Sequence, residues 1–167
     1  TGSTKGLGKS ICEVVAKEGA IPIITGRTEE LLEQTVETMR KTYHTEISGI
    51  CMDVSNPIDL KRAMKTIENR YGRLDVLINN AGIWPKAYVK EMEDKDFEYT
   101  LKINLEAPFI LCKLFVQQLL EQERKGKIIN IVSQAAFHGS TTGHAHYAAS
   151  KAGLVGFTIS LAREVAP

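Results

Sequence analysis

The sequence predicts an α/β fold, a doubly wound parallel sheet with helices on both faces. Three observations carry this. Short, mostly apolar runs alternate with longer helical segments, the pattern of buried parallel strands joined by helical crossovers. Three glycines, Gly2, Gly6 and Gly8, stand directly before the first helical segment, where backbone can come close to a bound group. Near the other end, a β-branched run delivers Ser133 at its carboxyl end, the edge at which open parallel sheets bind ligands.

In order, Thr1-Gly2-Ser3-Thr4-Lys5-Gly6-Leu7-Gly8 leads into an amphipathic helix over Lys9 to Glu18. The free amides of that helix start attract a phosphate, although a flexible turn also explains the glycines. Ile21 to Thr25 reads as a strand. Glu29 to Lys41 reads as a helix with Thr28 as N-cap, and Ile47 to Met52 as a second strand ending at Asp53. A helix follows over Pro57 to Tyr71, with proline in its tolerated first-turn position. Leu74 to Ile78 is a third strand and runs into Asn79-Asn80-Ala81-Gly82. Beyond Trp84 and Pro85 come a helix near Asp94 to Lys102 and a longer one from about Leu105 to Gln122. The apolar residues of the latter cover more than one stripe, so more than one surface must hide them. Lys127 to Val132 reads as a strand buried on both faces, and Tyr147 to Glu164 as a proline-free helix. There is no repeat, linker or low-complexity tract, so residues 1–167 are expected to form one domain.

The bulk numbers narrow the function. A chain of 167 residues, 43% hydrophobic and 25% charged, can bury a core. A formal net charge of +1 gives no reason to expect nucleic acid or an acidic membrane as partner. No uninterrupted apolar run is long enough to cross a bilayer. Cys12, Cys51 and Cys112 fit neither a zinc nor a disulfide spacing, which points to buried thiols in a reducing, cytoplasmic compartment.

Tyr147 and Lys151 fall one turn apart on a helix, so both lie on one face. An ammonium held there favours the phenolate, which suits a group that gives and takes a proton. A tyrosine and lysine four apart also occur by accident, so the pair needs company. It has some. The glycine pattern of Thr1 to Gly8, Asn79-Asn80-Ala81-Gly82 after the third strand, Asn104 ahead of the long helix, Ser133 after a strand, and Tyr147 with Lys151 all stand in one order. Together they resemble the short-chain dehydrogenases/reductases, in particular the branch with 3-oxoacyl-carrier-protein reductases and many sugar, polyol and steroid dehydrogenases.

That resemblance implies a Rossmann-type, NAD(P)-binding fold. It implies Tyr147 as general acid/base, Lys151 as the group that tunes it and holds the nicotinamide ribose, Ser133 on the substrate oxygen, and Asn104 as anchor of a water linking Lys151 to solvent. For the cofactor it implies the loop Gly2, Ser3, Thr4, Lys5, Gly6, Leu7 and Gly8, an acid near the adenine at Asp53 with Val54 beside it, and contacts from Asn80, Ala81 and Gly82. The interval from Ser133 to Tyr147 is one residue longer than in much of the family. Its histidines, His138, His144 and His146, lack a carboxylate or cysteine at ligand spacing, so no metal is expected.

Where the strand ends at Thr25, a dinucleotide-binding fold states its preference, with an acid for NAD or a base for the extra phosphate of NADP. Gly26 and Arg27 stand there, with Lys5 as a second cation, so NADP(H) is favoured over NAD(H). The competing reading is Glu29 or Glu30 on the ribose. A 3-oxoacyl thioester is the first substrate expectation, because Tyr147 to Leu154 and Leu161 to Val165 look like that subgroup. A sugar, polyol or steroid alcohol comes next, and a catalytically silent cofactor-binding or scaffolding protein is the reading from another class. The resemblance also implies a homotetramer through the helices at 105–122 and 147–165. It implies that the chain is a fragment, with a strand before Thr1 lying between the strands at Ile21 to Thr25 and Leu74 to Ile78, and further structure after Pro167. Those two strands should then lie about 10 Å apart with a slot between them.

Overall fold

The computed structural model describes residues 1–166. Its elements are α1 (Gly6–Lys17), β1 (Ile23–Gly26), α2 (Glu29–Tyr43), β2 (Ser48–Cys51), α3 (Pro57–Tyr71), β3 (Val76–Asn79), α4 (Asp94–Leu101), a π-turn (Lys102–Glu106), α5 (Ala107–Glu121), β4 (Lys127–Asn130), α6 (Ala135–His138) and α7 (Ala145–Val165). Strand β1 pairs with β2 in parallel, Ile23 opposite Ser48 through Gly26 opposite Cys51. Strand β3 pairs with β4 in parallel, Val76 opposite Lys127 through Asn79 opposite Asn130.

The two pairs do not hydrogen-bond to each other. Between them lies an apolar cleft of about 560 Å³, lined on one side by Ile23 and Thr25 and on the other by Leu77 and Ile78. Strands β1 and β3 are therefore neighbours across a slot, and the direct pairing that would contradict the expected arrangement is absent. Residues 1–3 bridge the slot at one end: Thr1 N donates to Ile78 O at 2.7 Å, and Ser3 N donates to Thr25 O at 2.9 Å. This end carries the carboxyl termini of β1 and β3, so the loops after both strands gather there.

There are two core clusters, and Ile23 of β1 and Ile50 of β2 also pack on the second. Cys12 and Ala16 of α1 and Leu32, Val36 and Met39 of α2 close over Ile24 and Ile47 on one side of the slot. On the other, Leu60 and Met64 of α3 meet Leu77 of β3 and Leu111, Cys112 and Phe115 of α5. The helix limits follow local rules where side chains are free to obey them. The Asn56 carboxamide accepts from Ile58 N at 3.0 Å, Pro57 takes the first turn, and Gly72 ends α3 with φ 67°. Thr28 stands at the cap position of α2, but its hydroxyl makes no capping bond. Its carbonyl accepts from Leu32 N instead.

Two expectations need correction. Strand β4 is not buried on both faces: Ile128 packs on the core, while Ile129 is 45% and Val132 38% exposed, because no described element covers that side. The helices expected on either side of Asn104 are one continuous run from Asp94 to Glu121, joined by the π-turn, in which Ala107 N donates to Lys102 O. By length and composition this run could cross a bilayer, yet 44% of its most apolar stretch is buried inside the fold, with Leu111, Cys112 and Phe115 in the core.

Candidate active site

The glycine loop is laid against backbone on both sides. Gly2 has φ 62°, and a β-carbon there would meet Ala81 at 3.0 Å, so only glycine serves. A β-carbon on Gly8 would lie 2.5 Å from Asn80 Nδ2 and still closer to Gly2 O. Gly6 faces open space at the start of α1. Backbone approach on one side and free amides on the other suit the pyrophosphate of a dinucleotide. Ser3 Oγ accepts from Thr25 N at 2.9 Å, and Thr25 Oγ1 accepts from Gly2 N at 3.1 Å, so these hydroxyls lock the loop to the end of β1. Thr4 packs where a Gly26 side chain would stand, leaving Gly26 no room for one. Lys5, Leu7 and Arg27 are exposed at this end.

Three sequence-predicted residues have structural work. Asn80 Nδ2 donates to Thr1 O and Gly2 O at 2.9 and 3.2 Å, so it shapes the loop. Asn79 is buried and donates to Asn130 Oδ1 at 2.8 Å and Cys112 Sγ at 3.3 Å, which ties β3 to β4 and α5. Asp53 Oδ1 accepts from Ser55 N at 2.8 Å, and Asp53 N donates to Asp59 Oδ2 at 3.0 Å; the carboxylate of Asp53 folds its own turn, with Val54 half-buried beside it.

Asn104, Lys151, Tyr147 and Gly82 converge. The π-turn presents Asn104, fully buried, whose Oδ1 accepts from Ile83 N at 2.9 Å and whose Nδ2 donates to Ile83 O at 2.8 Å and Ser150 Oγ at 3.0 Å. Ser150 Oγ donates to Tyr147 O at 2.7 Å. Lys151 is 4% exposed, its Nζ donates to Ile131 O at 2.7 Å, and burial pushes its pKa down. The same Nζ lies 5.9 Å from the centre of the Tyr147 ring. A β-carbon on Gly82 would come within 3.2 Å of Asn104 Oδ1 and 3.6 Å of Lys151 Nζ, so glycine leaves these side chains their space. Ser133 lies two residues beyond the carbonyl that holds Lys151, and its Oγ accepts from Ala135 N at 3.2 Å.

Sequence reasoning missed Thr1, whose Oγ1 accepts from Asn80 N at 3.1 Å and Ala81 N at 3.0 Å, and it missed Ser150. Both sit inside recognised motifs, but short polar residues there read equally well as turn and helix surface. Among the described residues no group of three His, Cys, Asp or Glu could hold a metal ion. His144 Nδ1 is instead 3.0 Å from Thr142 Oγ1. Burial raises the Cys112 thiol to about 11.

Parallel strand pairs wrapped by helices around an interlocked glycine loop make a Rossmann-type fold, and the short chain dehydrogenase family matches residues 1–167. The chain belongs to that family. Among its relatives is the 3-oxoacyl-(acyl-carrier-protein) reductase FabG of Aquifex aeolicus, 36% identical over 167 residues, which are 100% of this chain and 66% of that protein. The FabG of Escherichia coli is 34% identical over 166 residues, 99% of this chain and 66% of its own length. Solved structures agree. L-sorbose reductase of Gluconobacter frateurii, complexed with NADPH and L-sorbose, has a TM-score of 0.93 at 26% identity over 98% of this chain and 62% of its own. A metagenomic short-chain oxidoreductase in complex with NADP has a TM-score of 0.90 at 30% identity, covering 98% and 73%. The chain thus spans about two thirds of the length of the curated relatives it matches.

Proposed function

We propose that the protein is an NADP(H)-dependent oxidoreductase that interconverts a carbonyl and an alcohol, with Tyr147, Lys151, Ser133 and Asn104 as its working residues. One observation carries the reading: a lysine ammonium buried 5.9 Å from a tyrosine ring, beside a gripped carboxamide, is costly for a binding module and useful to an acid/base tyrosine. The bound nicotinamide supplies or takes up the hydride. Tyr147 gives its proton to the carbonyl oxygen in reduction and takes it back in oxidation, so charge on that oxygen is met as it forms. Lys151 is desolvated, so its charge acts on the phenol with little screening by water. Ser133 donates to the same substrate oxygen. Asn104 fixes the loop after β3 and the start of α7 relative to each other, and so holds Tyr147 and Lys151 in register.

For the cofactor, the loop from Gly2 to Gly8 receives the pyrophosphate, Asp53 and Val54 flank the adenine, and Asn80, Ala81 and Gly82 line the approach to the nicotinamide. Arg27 and Lys5 are the exposed cations at the end of β1 and favour NADP(H). NADPH and NADP in the two related structures support the choice. A 3-oxoacyl thioester is the preferred substrate because the FabG relatives match the chain from end to end. The sorbose reductase likeness favours a sugar or polyol as second reading. Three free thiols suit a reducing, cytoplasmic setting. The exposed Phe109 and its edge-on partner Phe157, with centroids 5.8 Å apart, belong to an apolar face of α5 and α7 that a second copy would cover on the way to a tetramer. A monomer in light scattering of the full-length protein at micromolar concentration would exclude that assembly.

The test of function is turnover of the full-length protein on a panel of 3-oxoacyl thioesters, sugars and simple ketones, with Tyr147→Phe as control. The variant should lose at least about a hundredfold in kcat while still binding cofactor. Near-normal turnover would refute the mechanism, and cofactor binding without any turnover by the unmodified protein would favour the scaffolding reading.

A further inference from the structure

Beside the tyrosine sits a second buried titratable group that the chemistry above does not use. His146, in the first turn of α7, has no solvent exposure, and neither its Nδ1 nor its Nε2 has a hydrogen-bond partner. Helix α7 is packed on α4, and Asp96 of α4 acts on the ring. The buried hydroxyls of those two helices are already committed, Thr100 to Asp96 O at 2.8 Å and Ser150 to Tyr147 O at 2.7 Å. The ring therefore fills space as a neutral group.

Little around it would tolerate a proton. Burial removes the water that would solvate an imidazolium. The free amides at the start of α7 point their positive end at the same turn. His144, in the loop before α7, adds a repulsive neighbour, and only Asp96 of α4 acts the other way. These effects together hold the ring below the usual histidine range, with burial the largest of them.

The consequence reaches Tyr147 because the two are consecutive. Downstream, the turn is pinned through Ser150 to Asn104 at 3.0 Å. Upstream, His146 is the one fully buried side chain of the first turn, on a helix that packs against α4. We propose that His146 is a positioning residue for Tyr147: its neutral ring wedges the first turn of α7 against α4, and protonation releases that turn, so that His146 sets the acid limit of activity. The proposal rests on Tyr147 being the proton donor.

The sign of the effect follows from where the proton goes. The unfolded chain takes it near the ordinary histidine value, about pH 6.5, and the folded chain only at lower pH. The stability tied to the neutral ring is therefore complete above about pH 6.5 and is lost as the pH falls through the folded value.

Reduction is the direction to assay, since Tyr147 works there in its protonated form and acid does not disable it. In the full-length enzyme, kcat for reduction is measured at about pH 5.5 and about pH 7.5 for the unmodified protein, His146→Gln and His146→Leu. Neither replacement takes a proton in this range, so the ratio of acid to neutral kcat should rise at least about fivefold in one or both. A parallel NMR titration of the unmodified enzyme, with labelled histidine, should find the His146 ring still neutral below its ordinary range and kcat falling where it does titrate. This second readout decides the matter if both variants misfold. An unchanged ratio in folded variants, or a ring that titrates at the ordinary value, overturns the proposal. If instead Tyr147→Phe remains active, the failure lies in the assignment of Tyr147.

Discussion

Both halves of the molecule place helices on a parallel strand pair, but their interiors differ. The β1–β2 half is sealed by Ile24, Val36, Met39 and Ile47, and its buried polar residues, Ser3, Thr25, Thr35 and Ser48, are small hydroxyls. The β3–β4 half buries the hydroxyls of Thr100 and Ser150 too, but adds Asn79, Asn104, Gln118, His146 and Lys151. A small hydroxyl exposes little polar surface to burial and is met by a single backbone group, as Thr35 is by Leu31 O, whereas a buried amide, imidazole or amine costs more stability unless partners are brought to it. The contrast follows the division of labour we propose. On that proposal the first half is to hold a phosphate group with backbone, which calls for glycines and a helix start. The second must hold reactive side chains still, so it carries the polar interior and its cost.

That contrast can be broken by substitution. Lys151→Ala strikes the side-chain half hardest: turnover should fall at least about a hundredfold and cofactor affinity should drop with it, since one side chain serves both. Steady-state kinetics with a fluorescence titration would contradict the dual role if only one of them changed. In the backbone half, Gly8→Val should cost at least about tenfold in NADPH affinity, because the new side chain would press on Asn80 and Gly2 and force the loop to move. An unaltered dissociation constant would show that the tight packing of this loop does not shape binding.

Arg27→Ala refines the same half. Loss of a charge-assisted contact should weaken NADPH by roughly 1.5–3 kcal/mol and leave NADH nearly unchanged. Equal losses would mean that Arg27 does not read the phosphate. The smallest effect is expected at Asn56, which caps α3 outside both sites. Asn56→Ala should lower stability by about 1 kcal/mol with kcat unchanged, and thermal unfolding alongside an activity assay checks both parts.

Legibility in the sequence divides along similar lines. The order of strands and helices was readable, and α3 runs over the residues its proline and flanking signals indicated. So were the glycine loop and the one-turn spacing of Tyr147 and Lys151. The π-turn was not, because its wider ring leaves no mark in a 3.6-residue pattern. Asn80 was legible as part of the cofactor site, but its hold on the backbone of Thr1 and Gly2, and that of Asn79 on Asn130, join residues far apart along the chain and left no local mark. The exposure of Ile129 was hidden for a comparable reason: a β-branched run looks the same whether one face is covered or two.

The sequence by itself determined what backbone sterics and side-chain periodicity act on within a turn or a strand: the order and kind of the main elements, where glycine alone fits, and which side chains share a helix face. Tertiary structure alone decided which polar groups lose their water together. Desolvation exists only once α4, the π-turn and α7 have closed on one another, and it is desolvation that singles out Lys151, leaves His146 without a partner, and gives Asn104 its grip on Ile83 and Ser150.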